Sequence, residues 1–94
     1  MVLMNSQFRI GAVYCATPAL AGAKQQLIVP IGRQGCAMQI ALVSDFSLAT
    51  VAVSDVYGRE FARLQLGDGC YTTSSACEVD AAEYAHVRRI LGIE

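Results

Sequence analysis

The residues best suited to chemistry are concentrated between residues 66 and 80, in the stretch LGDGCYTTSSACEVD. This stretch holds Cys70 and Cys77 together with several hydroxyl and carboxyl side chains. A cysteine becomes a nucleophile when a neighbouring base stabilises its thiolate. The chain has a single histidine, His86, and the helix predicted around it turns it away from the core. Cys70 and Cys77 are therefore thiol candidates, and a small thiol enzyme is our third hypothesis for function.

The same two cysteines allow other interpretations. Structural zinc sites normally include a close pair of ligands, whereas spacings of 7 and 9 residues separate Cys70, Cys77 and His86. We therefore predict no metal and no cofactor. A Cys70–Cys77 disulfide is sterically allowed, although a reducing cytoplasm opposes it. The structural alternative is that GDG forms a tight turn, CYTT a short strand and SSACE a polar connection.

A second group of candidate residues follows the period of a β-strand. Arg59, Phe61 and Arg63 recur at every second position of REFARLQL, so they share one face of a strand. Two arginines flanking an aromatic ring can bind an anionic ligand or a nucleic-acid backbone, with the ring stacking on a base. The structural alternative is a solvated face on which the arginines pair with Asp45, Asp55 or cross-strand neighbours.

Arg33 is a further ligand-binding candidate, because it lies in the segment GRQG, residues 32–35. Glycine-flanked turns can form small anion-binding nests, although a hairpin loop that contains an arginine is commoner. Neither GRQG nor GDG has the spacing of a phosphate-binding loop or a dinucleotide-binding fingerprint.

The elements that must position these residues are mostly strands. QFRIGAVYC alternates between apolar and other residues, which predicts a strand followed by a short helical turn at Thr17 and Pro18. Residues 7–24 remain open to a partly helical interpretation. QQLIVPI predicts a second strand, which Pro30 should confine to a sheet edge. CAMQIALVS, LATVAVS and REFARLQLG have short connections and predict a three-stranded antiparallel meander.

The C-terminal residues predict a helix from about 81 to 91. Asp80 and Glu83 have the spacing of a capping box, and Gly92 supplies a stop. At 100° per residue, the stripe that faces the sheet should contain Tyr84, Val87, Ile90 and Leu91. The predicted fold is therefore a single α+β domain spanning residues 1–94, in which this helix packs against an antiparallel sheet of about five strands that can curl toward a barrel.

Composition limits the classes of partner. Of the 94 residues, 54% are hydrophobic and 16% are charged, an apolar surplus for so small a domain, which favours a homodimer or another protein partner. A net charge of −1 gives no general attraction to nucleic acid. There is no apolar run long enough for a transmembrane helix. RIGAVYCATPALAGAK only partly resembles a signal peptide, so we expect a cytoplasmic protein.

Our leading hypothesis is a small non-catalytic interaction or regulatory module that forms a homodimer. The alternative hypothesis is a ligand-binding or nucleic-acid-binding domain that uses the Arg59, Phe61 and Arg63 face. A single sequence leaves open the biological role, the ligand and the geometry of any assembly.

Overall fold

A computed structural model describes residues 6–93 of the chain. Within this range seven antiparallel strands are followed by a 3-10 turn and one short α-helix. The strands are β1 Val13–Pro18, β2 Gln26–Gln34, β3 Ala37–Leu42, β4 Leu48–Val56, β5 Arg59–Leu66, β6 Gly69–Ser74 and β7 Glu78–Val79. The 3-10 turn is Ala81–Tyr84, and the helix, α1, is Ala85–Leu91.

Strands β1 to β6 form a closed barrel, because β1 pairs on both of its sides. On one side β1 pairs with β2, through Tyr14 and Ile28 among others. On the other side its C-terminal end pairs with β6, and its N-terminal end pairs with β7. The sheet order β2-β3-β4-β5-β6-β1 therefore returns to β2.

The predicted α+β class is wrong, and so is the estimate of about five strands. The described residues form a mostly β protein with a closed six-stranded barrel, an additional strand and a C-terminal helix of seven residues. The difference arises because the sequence gives no indication that β1 pairs with β6 and β7, the contacts that close the barrel. The predicted antiparallel meander is confirmed, since β3, β4 and β5 pair in sequence order.

Two details of the N-terminal half also differ from the prediction. Thr17 and Pro18 do not start a helical turn, because they end β1 and pair with Thr72 and Tyr71. β2 is not an edge strand, and Pro30 is accommodated beside a β-bulge, where the register with β3 shifts between Pro30 and Gly32. A bulge interrupts the regular hydrogen bonding between two strands, so a proline, which has no N–H to donate, is tolerated beside it.

The apolar residues form two clusters. The barrel interior contains the larger one, which includes the fully buried Tyr14, Ile28, Met38 and Ile40. The second cluster lies outside the barrel, where the helix covers the outward residues Val13 and Val29 of β1 and β2 with Val87, Tyr84 and Leu91. This outer cluster accounts for part of the apolar surplus in the composition.

The C-terminal helix begins and ends close to the predicted residues. The Asp80 side chain caps the first turn by accepting a hydrogen bond from the Ala82 N–H, and Gly92 ends the helix with φ of 70°. The predicted stripe is correct for Tyr84, Val87 and Leu91, but Ile90 is 61% exposed. Between residues 6 and 93 no helix has the length and apolar character of a membrane span.

Matched isoleucine substitutions test this assignment of the core. Ile40→Ala removes a fully buried side chain and should lower the free energy of unfolding by about 3 kcal/mol. Ile90→Ala removes the same atoms from an exposed position and should change it by less than about 0.5 kcal/mol. Urea denaturation of both variants measures the difference, and equal losses would contradict the assignment.

Candidate functional site

The β4–β5 hairpin determines which side chains of β5 face outward. Its turn residues Tyr57 and Gly58 have φ values of 54° and 78°, the left-handed pair that matches the twist of a tight hairpin. The Asp55 carboxylate accepts a hydrogen bond of 3.0 Å from the Gly58 N–H. This turn fixes Val56 opposite Arg59. That register determines which face of the sheet each later side chain of β5 occupies.

Arg59, Phe61 and Arg63 form an outward row on β5, which we call the Arg–Phe face. Arg59 and Arg63 are exposed and Phe61 is half-buried, while the alternate residues of β5 face the barrel interior. The predicted parity of this strand is therefore confirmed. At ~3.4 Å per residue, the Cα atoms of the two arginines lie about 14 Å apart, with the aromatic ring midway.

The strands beside the Arg–Phe face contribute no charge to it. On β4 the partners of Arg59, Phe61 and Arg63 are small or uncharged, and on β6 the partners of Phe61 and Arg63 are hydroxyl residues: Val56, Ser54, Ala52, Ser74 and Thr72. Neither Arg59 nor Arg63 forms an ion pair with any described residue. The carboxylates of Asp45 and Asp55, considered above as partners, instead accept hydrogen bonds within their own turns.

Surface grooves lie at both ends of the Arg–Phe face. One, of about 300 Å³, is lined by Val56, Tyr57, Arg59 and Phe61. The other, of about 410 Å³, is lined mainly by Arg63, Gln65, Cys70, Tyr71 and Thr72. The face is therefore continuous with a depression at each arginine, which gives an extended ligand room for side chains.

Arg33 lies apart from this face and already has a partner. It donates to both carboxylate oxygens of Glu60, over 2.6 and 2.5 Å, and its Nε donates to the Gly35 carbonyl. The hairpin turn is formed by Gly35 and Cys36 rather than by residues 32–35. Arg33 also borders a groove of about 340 Å³, but its charge is neutralised by Glu60.

Glu60 organises the end of the barrel at which β2 and β4 finish, called here the Glu60 end. Its carboxylate also accepts a hydrogen bond of 2.9 Å from the Phe8 N–H. Its backbone N–H donates to Ser6 and Ser75 oxygens, and its carbonyl accepts from the Ser75 N–H. The N-terminal segment, β2 and the residues after β6 thus converge on one buried residue.

The electrostatics of Glu60 follow from these contacts. Its pKa is lowered, first by the hydrogen bonds from Arg33, which outweigh the opposite effect of burial, and then by the Phe8 N–H and the charge of Arg33. Sequence reasoning missed this residue, although Glu60 shares its strand parity with Ala62 and Leu64. A carboxylate on an apolar strand face is itself a signal of a buried ion pair.

The thiol candidates are not brought together. Cys70 begins the outward row of β6 opposite Gln65, and Cys77 follows the other end of the same strand. Both are exposed and free. In the described part of the chain no group of three or more metal-ligating side chains is found.

Comparison with protein families, curated proteins and solved structures gives no match for the chain. The class of protein is therefore defined by the geometry alone. Within residues 6–93 it is a small closed antiparallel barrel with a basic and aromatic face that no described carboxylate neutralises.

The Arg33–Glu60 pair predicts a pH-dependent stability. Since the folded-state pKa of Glu60 is lowered, its stabilisation is present above the unfolded pKa of about 4.3 and is lost as the pH falls through the lower folded value. Glu60→Gln should cost about 2 kcal/mol at pH 7, because it removes the charge from the hydrogen bonds with Arg33, whose side chain is 31% exposed. Urea denaturation from pH 7 to 3 should show this difference shrinking with acidity.

The control for this experiment is Glu83→Gln, which changes the net charge equally at an exposed position. Its stability should follow that of the unmodified protein within about 0.5 kcal/mol at both pH values. A Glu60→Gln difference that stayed constant down to pH 3 would contradict the role given to the carboxylate.

Proposed function

We propose that the protein is a small non-catalytic interaction module that binds an acidic, extended segment of a protein partner on the Arg–Phe face. One observation carries the proposal: Arg59 and Arg63 flank Phe61 on a surface whose cross-strand neighbours are all uncharged. Two guanidinium groups without carboxylate partners are available for an external anion.

The spacing of the row favours an extended peptide. Side chains on one face of a strand repeat every ~7 Å, so a peptide with acidic residues at two positions and an apolar residue midway matches Arg59, Phe61 and Arg63 in turn. The grooves beyond each arginine can accept the flanking side chains. Carboxylates can engage each guanidinium through paired hydrogen bonds.

Nucleic acid fits the whole molecule less well than an acidic peptide does. A phosphate backbone is held chiefly by the number of cationic contacts, and the Arg–Phe face supplies two. The net charge of −1 adds no long-range attraction.

We place the module in the cytoplasm as part of the same proposal, because the four cysteines are free and reducing compartments keep thiols in that state.

The binding proposal is tested with a fluorescein-labelled peptide in which two glutamates flank a leucine at alternate positions. Arg59→Ala with Arg63→Ala should weaken its binding roughly tenfold and flatten the dependence on salt, since two exposed ion pairs are lost. Phe61→Ala should weaken binding while leaving the salt dependence unchanged. Fluorescence anisotropy measures both effects.

The matched control is Lys24→Ala with Arg89→Ala, which removes the same two charges from exposed positions elsewhere. The binding constant of the control should stay within about twofold of the unmodified value. Equal weakening of peptide binding in the two double variants would show that only the net charge of the protein matters, and would overturn the proposal. So would tighter binding of a short oligodeoxythymidylate than of the peptide.

Homodimerisation remains a prediction, and we propose the tip of the β4–β5 hairpin as the interface. The side chain of Tyr57 is fully exposed at the tip of the β4–β5 hairpin, next to the exposed Val56. Large aromatic residues in such positions are common anchors of protein interfaces.

Sedimentation velocity at increasing concentration tests the dimer. We expect a concentration-dependent dimer that Tyr57→Ser weakens roughly tenfold, because the aromatic anchor is lost. Leu20→Ser, at a position 76% exposed on a different segment, should leave the dimer unchanged. A monomer at all concentrations would refute the homodimer without affecting the peptide proposal.

A further inference from the structure

The register between β1 and β7 leads toward two cysteines that are distant in the sequence. Val13 pairs with Val79, and Tyr14 pairs with Glu78, in antiparallel order. Continued by one residue beyond the last observed pair, the same register places Cys15 of β1 opposite Cys77, the residue that immediately precedes β7. The two cysteines are separated by most of the barrel in sequence, so their spacing in the chain gave no indication of this pairing.

The two side chains also point to the same side of the sheet. Val13 and Val79 belong to the apolar cluster on the outer surface of the barrel. Side chains two residues away along each strand share that face, which places both thiols on the outer surface. Directly opposite residues in antiparallel strands have Cα atoms ~4.5 to 5.5 Å apart, within the ~4.4 to 6.8 Å range of disulfides.

An independent property agrees with this placement. The pKa of the Cys15 thiol is raised, first by burial and second by the charge of Cys77. This charge effect shows that the two thiols lie within the range of an electrostatic interaction. The other cysteines lie elsewhere: Cys36 is in the β2–β3 turn, and Cys70 is near the start of β6.

We propose that Cys15 and Cys77 are a redox-sensitive pair that forms a reversible disulfide between β1 and β7. The inference is independent of the peptide-binding function. In a reducing compartment such bonds are typically transient and redox-sensing, and glutathione disulfide is the class of oxidant that would form this one.

The reaction proceeds by two thiol–disulfide exchanges. Cys77, the more exposed of the two, loses its proton and attacks one sulfur of glutathione disulfide. This step forms a mixed disulfide and releases one glutathione thiolate, which takes up a proton. Cys15 then loses its proton and attacks the Cys77 sulfur, releasing the second glutathione. The protein loses two electrons and two protons, and glutathione disulfide becomes two glutathione thiols.

The bond would fasten the C-terminal part of the chain to the barrel. β7 has two residues, and it leads directly to Asp80, which caps the turn before α1. A covalent link beside β7 restricts the detachment of this segment and of the helix that covers Val13 and Val29. The closed loop includes β2 to β6, so oxidation should raise Tm by roughly 10 °C.

Two matched variants test the pairing. Cys36→Ser with Cys70→Ser keeps Cys15 and Cys77, whereas Cys15→Ser with Cys36→Ser keeps Cys70 and Cys77. Each is equilibrated in glutathione buffers of graded ratio, quenched with acid, alkylated and measured by mass spectrometry. Circular dichroism establishes that both are folded.

In the first variant we expect a loss of two hydrogens and a tryptic cross-link between residues 10–24 and 64–88. Its disulfide should form at least tenfold more readily in native buffer than in guanidinium chloride, because the fold supplies the proximity. The second variant should give glutathione adducts.

The proposal is overturned if the first variant gives glutathione adducts alone, or if its disulfide forms equally well in denaturant. An oxidised protein with an unchanged Tm would refute the fastening of β7. Misfolding of the first variant is addressed by repeating the cross-link mapping on the unmodified chain, where the same Cys15-to-Cys77 peptide pair must be dominant.

Discussion

The structure depends on one buried carboxylate at the Glu60 end of the barrel. The Glu60 carboxylate accepts hydrogen bonds from both terminal nitrogens of the Arg33 guanidinium and from the Phe8 N–H. It therefore joins β5, β2 and the N-terminal segment. Phe8 in turn packs edge-on against Tyr14, with ring centroids 4.9 Å apart. A charge removed from water is tolerated only when its hydrogen-bonding capacity is filled, which ties the positions of these elements to one another.

Local sequence patterns predicted the elements that are formed by near neighbours. The β3–β4–β5 meander, the parity of Arg59, Phe61 and Arg63, and the ends of the C-terminal helix all follow from short-range periodicity and turn chemistry. Closure of the barrel could not be predicted in this way, because it depends on pairing between β1 and strands far along the chain. The α+β class was assigned because the sequence predicts a helix, whereas the class of the fold is determined by long-range strand pairing.

The same division applies to the candidate sites. The Arg–Phe face was visible because its residues lie within one strand, and the structure added the uncharged neighbours that leave its arginines available. Arg33 was interpreted as a ligand-binding residue because its partner Glu60 is 27 residues away in the chain. No local sequence pattern connects the two residues. For the cysteines, the short spacing from Cys70 to Cys77 drew attention away from the long-range pairing of β1 with β7, whose register leads toward Cys15 and Cys77.

The bulge between Pro30 and Gly32 determines where a positive charge is placed. Before it, Ile28 faces the interior and Val29 the outer surface; after it, Arg33 pairs with the buried Met38. If the same residues formed a strand without this bulge, the alternation of β2 would continue unbroken, Gln34 would face inward, and Arg33 would point outward. A neutral amide would then meet a buried carboxylate. The bulge thus reverses the sidedness of β2 after Pro30 and brings the Arg33 guanidinium to the Glu60 carboxylate.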